Sequence, residues 1–172
     1  MTDLEWFDYL KNVLKNCNGE NPLHIFGYGN PLRRDDGVGL YIVSKLLKRV
    51  KRIPSYISIH STSSSIEKEL EKLPKTSTII IIDAAYIDIS PGSIIFTKFE
   101  DVKYYSFDTH NVPLKIILEI NSLLDNAYLL GVVPYDISVG EGLTVVVKNS
   151  ADEIIEKFSQ LEGINSEGFK PG

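Results

Sequence analysis

The sequence predicts an α/β fold: a single three-layer domain with a twisted, mostly parallel sheet flanked by helices, and an extra N-terminal helix. Three observations carry this expectation. Short apolar runs alternate with segments of helical period along most of the chain. One of them, TSTIIIIDAAY (residues 76–86), holds four consecutive isoleucines, as expected of a central parallel strand covered on both faces. The length of 172 residues suits one domain whose core needs neither disulfide nor metal to hold it together.

The elements follow in order. Residues 3–16 carry Leu4, Phe7, Leu10, Val13 and Leu14 on one helical stripe, with Trp6 nearby, Thr2 or Asp3 as cap, and NCNGENP as the stop. This arm, residues 1–22, is read as packing on the domain; its other use would be docking a partner. The α/β body, residues 23–161, begins with strand LHIFGYG and helix GVGLYIVSKLLKRVKRI. That helix shows one apolar face through Leu40, Val43, Leu47 and Val50, with lysine and arginine toward its C-terminal end. Strand SYISIH and helix SSSIEKELEKL precede the isoleucine strand, and SPGS turns into strand SIIFTKFE. HNVPLKIILEINSLLD reads as a helix starting near Thr109 or Asn111, because Pro113 fits only its first turn. Strand AYLLGVV, loop PYDISVGEGL and helix SADEIIEKFSQL complete the body, and residues 162–172 form a polar tail.

Composition narrows the function. Apolar residues make up 43% and charged residues 24%, an ordinary globular balance. A net charge of −5 without a long basic run argues against nucleic acid or an anionic membrane as partner. The single cysteine, Cys17, excludes an intrachain disulfide framework and a cysteine-based zinc cluster. The acidic, amphipathic start is unlike a signal peptide, and no apolar run approaches the roughly 18 residues of a membrane span. A cytoplasmic setting is expected.

In such sheets ligands sit beyond the carboxyl ends of the strands. Asp36 falls in the loop after the first strand, Asp83 closes the isoleucine strand, and His110 opens the helix after YYSFDTH. A carboxylate after four isoleucines needs hydrogen bonds, a cation or water, so Asp83 points to a cleft, with a loop cap as the alternative. Two carboxylates and an imidazole make a ligand set with room for water or substrate, though His110 alone also suits a capping role. Asp35 and Asp108 suit helix caps, with metal binding as the alternative for Asp35. Arg33 and Arg34 answer the acidic pair, contact an incoming chain, or stay solvated. Tyr86 and Asp88 are placed on the cleft wall, with loop capping as the alternative for Asp88. His60 is either a fourth ligand or a plain strand-end histidine, and His24 is structural.

The stretch GYGNPLRRDDGVG opens like a phosphate loop, but Leu32 stands where a dinucleotide fingerprint wants its third glycine. The acidic pair also suits a pyrophosphate poorly. A nucleotide-binding domain is therefore disfavoured.

The ordered set GYGNPLRRDDGVG, IIIIDAAY with PGSI beyond it, THNVPL, GVVP and GEGLT resembles the hydrogenase maturation protease family, from about Leu23 to Leu161. These endopeptidases trim the C-terminal extension of nickel–iron hydrogenase large subunits. The resemblance implies that 23–161 is a catalytic domain and that Asp36, Asp83 and His110 form a metal-contacting catalytic triad. It also implies that the nickel is carried by the substrate rather than permanently bound, with another divalent ion as alternative occupant of the empty site. The implied partner is the hydrogenase large-subunit precursor, and a monomer is expected. One departure stands out. HSTSSSIE keeps Thr62, but His60, Ser61 and Ser64 stand where the family commonly has glycines. That departure and the extra helix motivate an alternative, a non-cleaving metal- or precursor-binding maturation chaperone of the same fold.

Overall fold

A computed structural model of the chain describes residues 3–50, 53–61, 66–102 and 114–161. The strands are β1 Leu23–Gly27, β2 Ile57–Ser61, β3 Thr78–Ala84, β4 Ile94–Lys98 and β5 Ala127–Val132. They form one sheet in the order β2-β1-β3-β5-β4. All neighbours run parallel except β4, which pairs antiparallel with β5 at one edge. The isoleucine strand β3 is buried at every position and lies in the middle, as a run without alternation requires.

Helices α1 Asp3–Leu14, α2 Val38–Arg49 and α5 Val145–Ser159 cover one face, while α3 Ile66–Leu70 and α4 Leu114–Ile120 cover the other. Side chains alternate accordingly along β3. Ile80, Ile82 and Ala84 enter the first core, and Ile79 and Ile81 enter the second. The N-terminal helix belongs to the first core: Trp6 and Leu10 are fully buried, and Tyr9 meets Phe96 and Tyr128 edge-on, at 5.2 and 6.1 Å between ring centres. Its apolar stripe is spent on the sheet, leaving none of those buried residues to a partner.

Three elements differ from the sequence reading. Helix α5 begins at Val145, five residues before the expected SADEII segment, with Thr144 as its N-cap. The run Val145-Val146-Val147 has strand propensity, and tertiary contacts override it. Helix α4 stops at Ile120 rather than continuing to Asp125. Ser122 takes a left-handed conformation (φ 59°), Leu123 N–H donates to Leu118 O at 2.9 Å and Ser122 N–H to Glu119 O at 3.0 Å. This is a Schellman ending sealed by buried Leu118 and Leu123, built on a serine where a glycine would have announced it. Asp35 does not cap α2, whose N-cap is Gly37 without a side-chain bond. Asp108, His110, the expected helix start at Thr109 or Asn111, Thr62, Ser64 and the polar tail lie outside the described residues.

Among the described residues no helix is long and apolar enough to cross a membrane.

Candidate active site

The strand order places a topological switch between β1 and β3. The chain leaves β1 toward one edge through α2, and reaches β3 on the other side of β1 through α3. Where successive connections diverge, the carboxyl ends of the two strands leave a crevice. Asp36 follows β1 and Asp83 ends β3, so topology alone brings them to the same crevice.

The glycines of GYGNPLRRDDGVG set how closely this loop approaches β3. Tyr28 N–H donates to Ile82 O at 2.9 Å, and Asn30 N–H donates to Asp36 O at 3.1 Å, so the loop folds back across the strand end. Gly29 has φ 125°, and a Cβ there would overlap the carbonyl oxygen of Asp36 and come within 3.1 Å of Asp83 Oδ1. A Cβ on Gly39 would overlap the carbonyl oxygens of Ile82 and Tyr28. These glycines serve close packing of backbone against backbone rather than a phosphate.

Residues Arg34–Gly37 form a 3-10 turn, and its two acids face opposite surroundings. Asp35 is fully buried. Its Oδ2 accepts from Tyr135 N–H, Asp136 N–H and the Thr144 hydroxyl, each at 2.9 Å, and its Oδ1 accepts from Thr144 N–H at 2.7 Å. It therefore clamps the loop after β5 to the loop after β1. The arginines reinforce the same joint. Arg34, at φ 46°, donates its N–H to Gly140 O at 3.0 Å and pairs with Asp136 through Nε at 3.2 Å. A left-handed arginine costs about 1–2 kcal/mol, which these contacts offset. Arg33 Nε donates to Ile137 O at 3.3 Å. Neither arginine is spent on Asp36.

Asp36 is half-buried. Its Oδ1 accepts the Tyr86 hydroxyl at 2.7 Å; among the described residues no other hydrogen bond reaches this carboxylate. Asp83 is almost fully buried, and its Oδ1 accepts the N–H of Ala84 at 2.7 Å. The Tyr86 phenol feels both acids. Burial first, then the hydrogen bond to Asp36 and the charges of Asp36 and Asp83, push it far above the ordinary range for tyrosine, with Arg33 opposing. Tyr86 keeps its proton and serves as a hydrogen-bond donor to Asp36.

Of the three residues singled out in the sequence, Asp36 and Asp83 are thus at one crevice, and His110 lies outside the described residues. Among the described residues no group of three or more histidine, cysteine, aspartate or glutamate side chains is gathered for an ion, so His60 does not join the two aspartates. Its Nε2 lies 3.1 Å from His24 Nδ1, and its ring stacks on Phe26 at 4.4 Å. Asp88 is exposed, while Tyr86 is half-buried with its hydroxyl on Asp36 Oδ1. Sequence reasoning did not give Asp35 its clamp, because its partners lie a hundred or more positions along the chain.

Comparison with known proteins gives a consistent result. Residues 40–160 match the HycI hydrogenase maturation protease family. A protein of Methanocaldococcus jannaschii named as a hydrogenase maturation protease is 31% identical over 163 residues, covering 90% of this chain and 94% of its own. A second from the same organism is 34% identical over 106 residues, 55% of this chain and 64% of its own. In three dimensions the chain is similar to the [NiFe] hydrogenase maturation protease HycI of Thermococcus kodakarensis, with TM-score 0.71, 21% identity, and 86% and 94% of the two chains covered. It is also similar to the hydrogenase maturating endopeptidase HybD of E. coli, with TM-score 0.65, 24% identity, and 79% and 88% covered. The two structural likenesses establish the fold; the matched span and the full-length relative establish more, and this chain belongs to the hydrogenase maturation protease family, a family of peptidases.

Proposed function

We propose that this chain is the endopeptidase that removes the C-terminal extension of a nickel–iron hydrogenase large-subunit precursor after nickel insertion. It reads the nickel carried by that substrate with Asp36, Asp83 and His110. The observation that carries the reading is the meeting of Asp36 and Asp83 where β1 and β3 end, with Gly29 packed between the Asp36 backbone and the Asp83 carboxylate. Carboxylate oxygens with an imidazole suit a borderline divalent ion held partly by other ligands. Among the described residues, exposed apolar side chains on the loops at this end of the sheet are Leu32 after β1, Ile87 and Ile89 after β3, and Tyr135 and Val139 after β5. Such a rim suits a polypeptide substrate better than a small polar one.

The chemistry is hydrolysis of one peptide bond. A carboxylate of the pair takes a proton from water as the oxygen attacks the scissile carbonyl, and the proton passes to the departing amine. Nickel already seated in the precursor completes the ligand set, so only a loaded substrate is held with its scissile bond in the crevice. Cleavage then checks metal insertion. Because α1 is buried against the sheet, the N-terminal helix no longer motivates a purely chaperone role.

The test is to incubate the protein with nickel-loaded and nickel-free precursor and follow the shortened large subunit by mass. Trimming of the loaded form alone, abolished by Asp36→Ala or Asp83→Ala, is expected. Equal trimming of both forms defeats the checkpoint, and binding without trimming of either supports the chaperone reading.

A further inference from the structure

We propose that Tyr86 is a positioning residue for Asp36: its hydroxyl holds one carboxylate oxygen so that the other is presented to the substrate. The inference rests on the reading of Asp36 as a group that meets substrate-borne nickel.

Three features of the site support it. The tyrosine ring packs against the first core, so the hydroxyl sits on a rigid arm rather than a mobile one. That arm reaches from the loop after β3 to the 3-10 turn after β1, and the O–H meets Asp36 Oδ1 at 2.7 Å, a short charge-assisted bond. The Asp36 backbone is fixed as well, its N–H on Arg33 O and its C=O on Asn30 N–H, both at 3.1 Å. With backbone and Oδ1 both held, rotation of the carboxylate is stopped, and Oδ2 is the oxygen left to face the crevice. A carboxylate held this way offers one oxygen in one direction, where a free one would offer either oxygen or both.

Packing alone does not account for the hydroxyl. Phenylalanine would fill the same apolar seat and require no partner at the half-buried end of the ring. The phenol instead sets its O–H 2.7 Å from Asp36 Oδ1, across from the loop that carries the ring. Groups that orient a metal-contacting carboxylate from behind commonly change affinity or rate by about 10–100-fold when removed.

Tyr86→Phe keeps the ring and deletes only the donor. Kinetics on nickel-loaded precursor would be measured for the wild type, Tyr86→Phe and Asp36→Ala, with equilibrium binding to nickel-free precursor in parallel. The expected result is a fall in kcat/KM of about 10–100-fold for Tyr86→Phe, with affinity for the nickel-free precursor unchanged. Loss of activity in Asp36→Ala but wild-type kinetics in Tyr86→Phe overturns the role of Tyr86 and leaves Asp36 standing. Wild-type kinetics in both variants overturns both readings. An equal weakening of Tyr86→Phe toward loaded and nickel-free precursor overturns positioning in favour of a general structural role.

Discussion

Replacing Asp35 by alanine tests whether the crevice is held together from beneath. The buried carboxylate accepts four hydrogen bonds, three from backbone N–H groups of Tyr135, Asp136 and Thr144 and one from the Thr144 hydroxyl. A hydrogen bond to a charged group contributes about 1.5–3 kcal/mol when isolated, so simple addition would approach the whole stability of about 5–15 kcal/mol. That sum is too large, because Tyr135 is exposed and Asp136 and Thr144 are half-exposed, so water replaces part of what is lost. Counting about 1 kcal/mol for each donor gives a loss of about 3–4 kcal/mol. In a domain of this size that lowers the melting temperature by about 6–16 °C. Asp35→Asn keeps the volume but turns one oxygen into a donor facing other donors, and less than half of the loss should be recovered. Thermal melts followed by circular dichroism give the number, and limited proteolysis locates the released segment at residues 134–144. If Asp35→Ala melts within about 2 °C of the wild type, the four bonds are not holding the loop and the clamp argument fails.

Two further outcomes follow from the same structure. Trp6→Ala removes a fully buried side chain of the N-terminal helix and is expected to cost about 3–5 kcal/mol in urea unfolding; a loss below about 1 kcal/mol would show that α1 is not part of the core. Burial, and then the charge of His60, push His24 down to about 4, so the unfolded chain, with histidine near 6.5, takes up its proton first as pH falls. The contribution of neutral His24 is therefore complete above pH about 6.5 and is lost on the way down through about 4. His60 titrates in the same sense, with Glu69 opposing. Urea midpoints of the wild type minus those of His24→Phe should fall between these limits, and a flat difference would contradict the assignment.

Much of the fold was readable because its strongest signals are local. Four isoleucines without polar alternation can only be buried on both faces, and alternation of strands with helices leaves few topologies. The positions of Asp36 and Asp83 were readable for a related reason: both follow from where the strands end, and in this class the strand ends are where ligands sit. What stayed hidden depends on contacts distant in sequence or on unusual residues in familiar turns. Asp35 looked like the cap of the next helix, yet its donors come from the loop before α5. Tyr86 was placed on the crevice wall, but nothing in DAAY tells that its hydroxyl reaches the turn after β1. The His24–His60 pair spans two strands and depends on the register Phe26↔His60, which the sequence does not state. Ser122 ends α4 in a conformation usually left to glycine or asparagine, so the helix was read too long.

The adjacent acids Asp35 and Asp36 show why the glycine-rich turn is built as it is. A crevice formed by three loops widens unless something ties the loops together, and a carboxylate facing that crevice is useful only if its backbone does not drift. Successive residues of a tight 3-10 turn project in different directions, so one acid goes inward and its neighbour outward. The inward acid binds the β5 loop from below, and the outward acid is left at the mouth with Tyr86 behind it. Gly29 and Gly39 let this turn lie against the end of β3, with Gly29 beside the Asp83 carboxylate. The two positions are therefore not interchangeable despite their identical chemistry. Removing the first should chiefly lower stability, whereas removing the second should chiefly remove activity, since its carboxylate carries one hydrogen bond where its neighbour carries four.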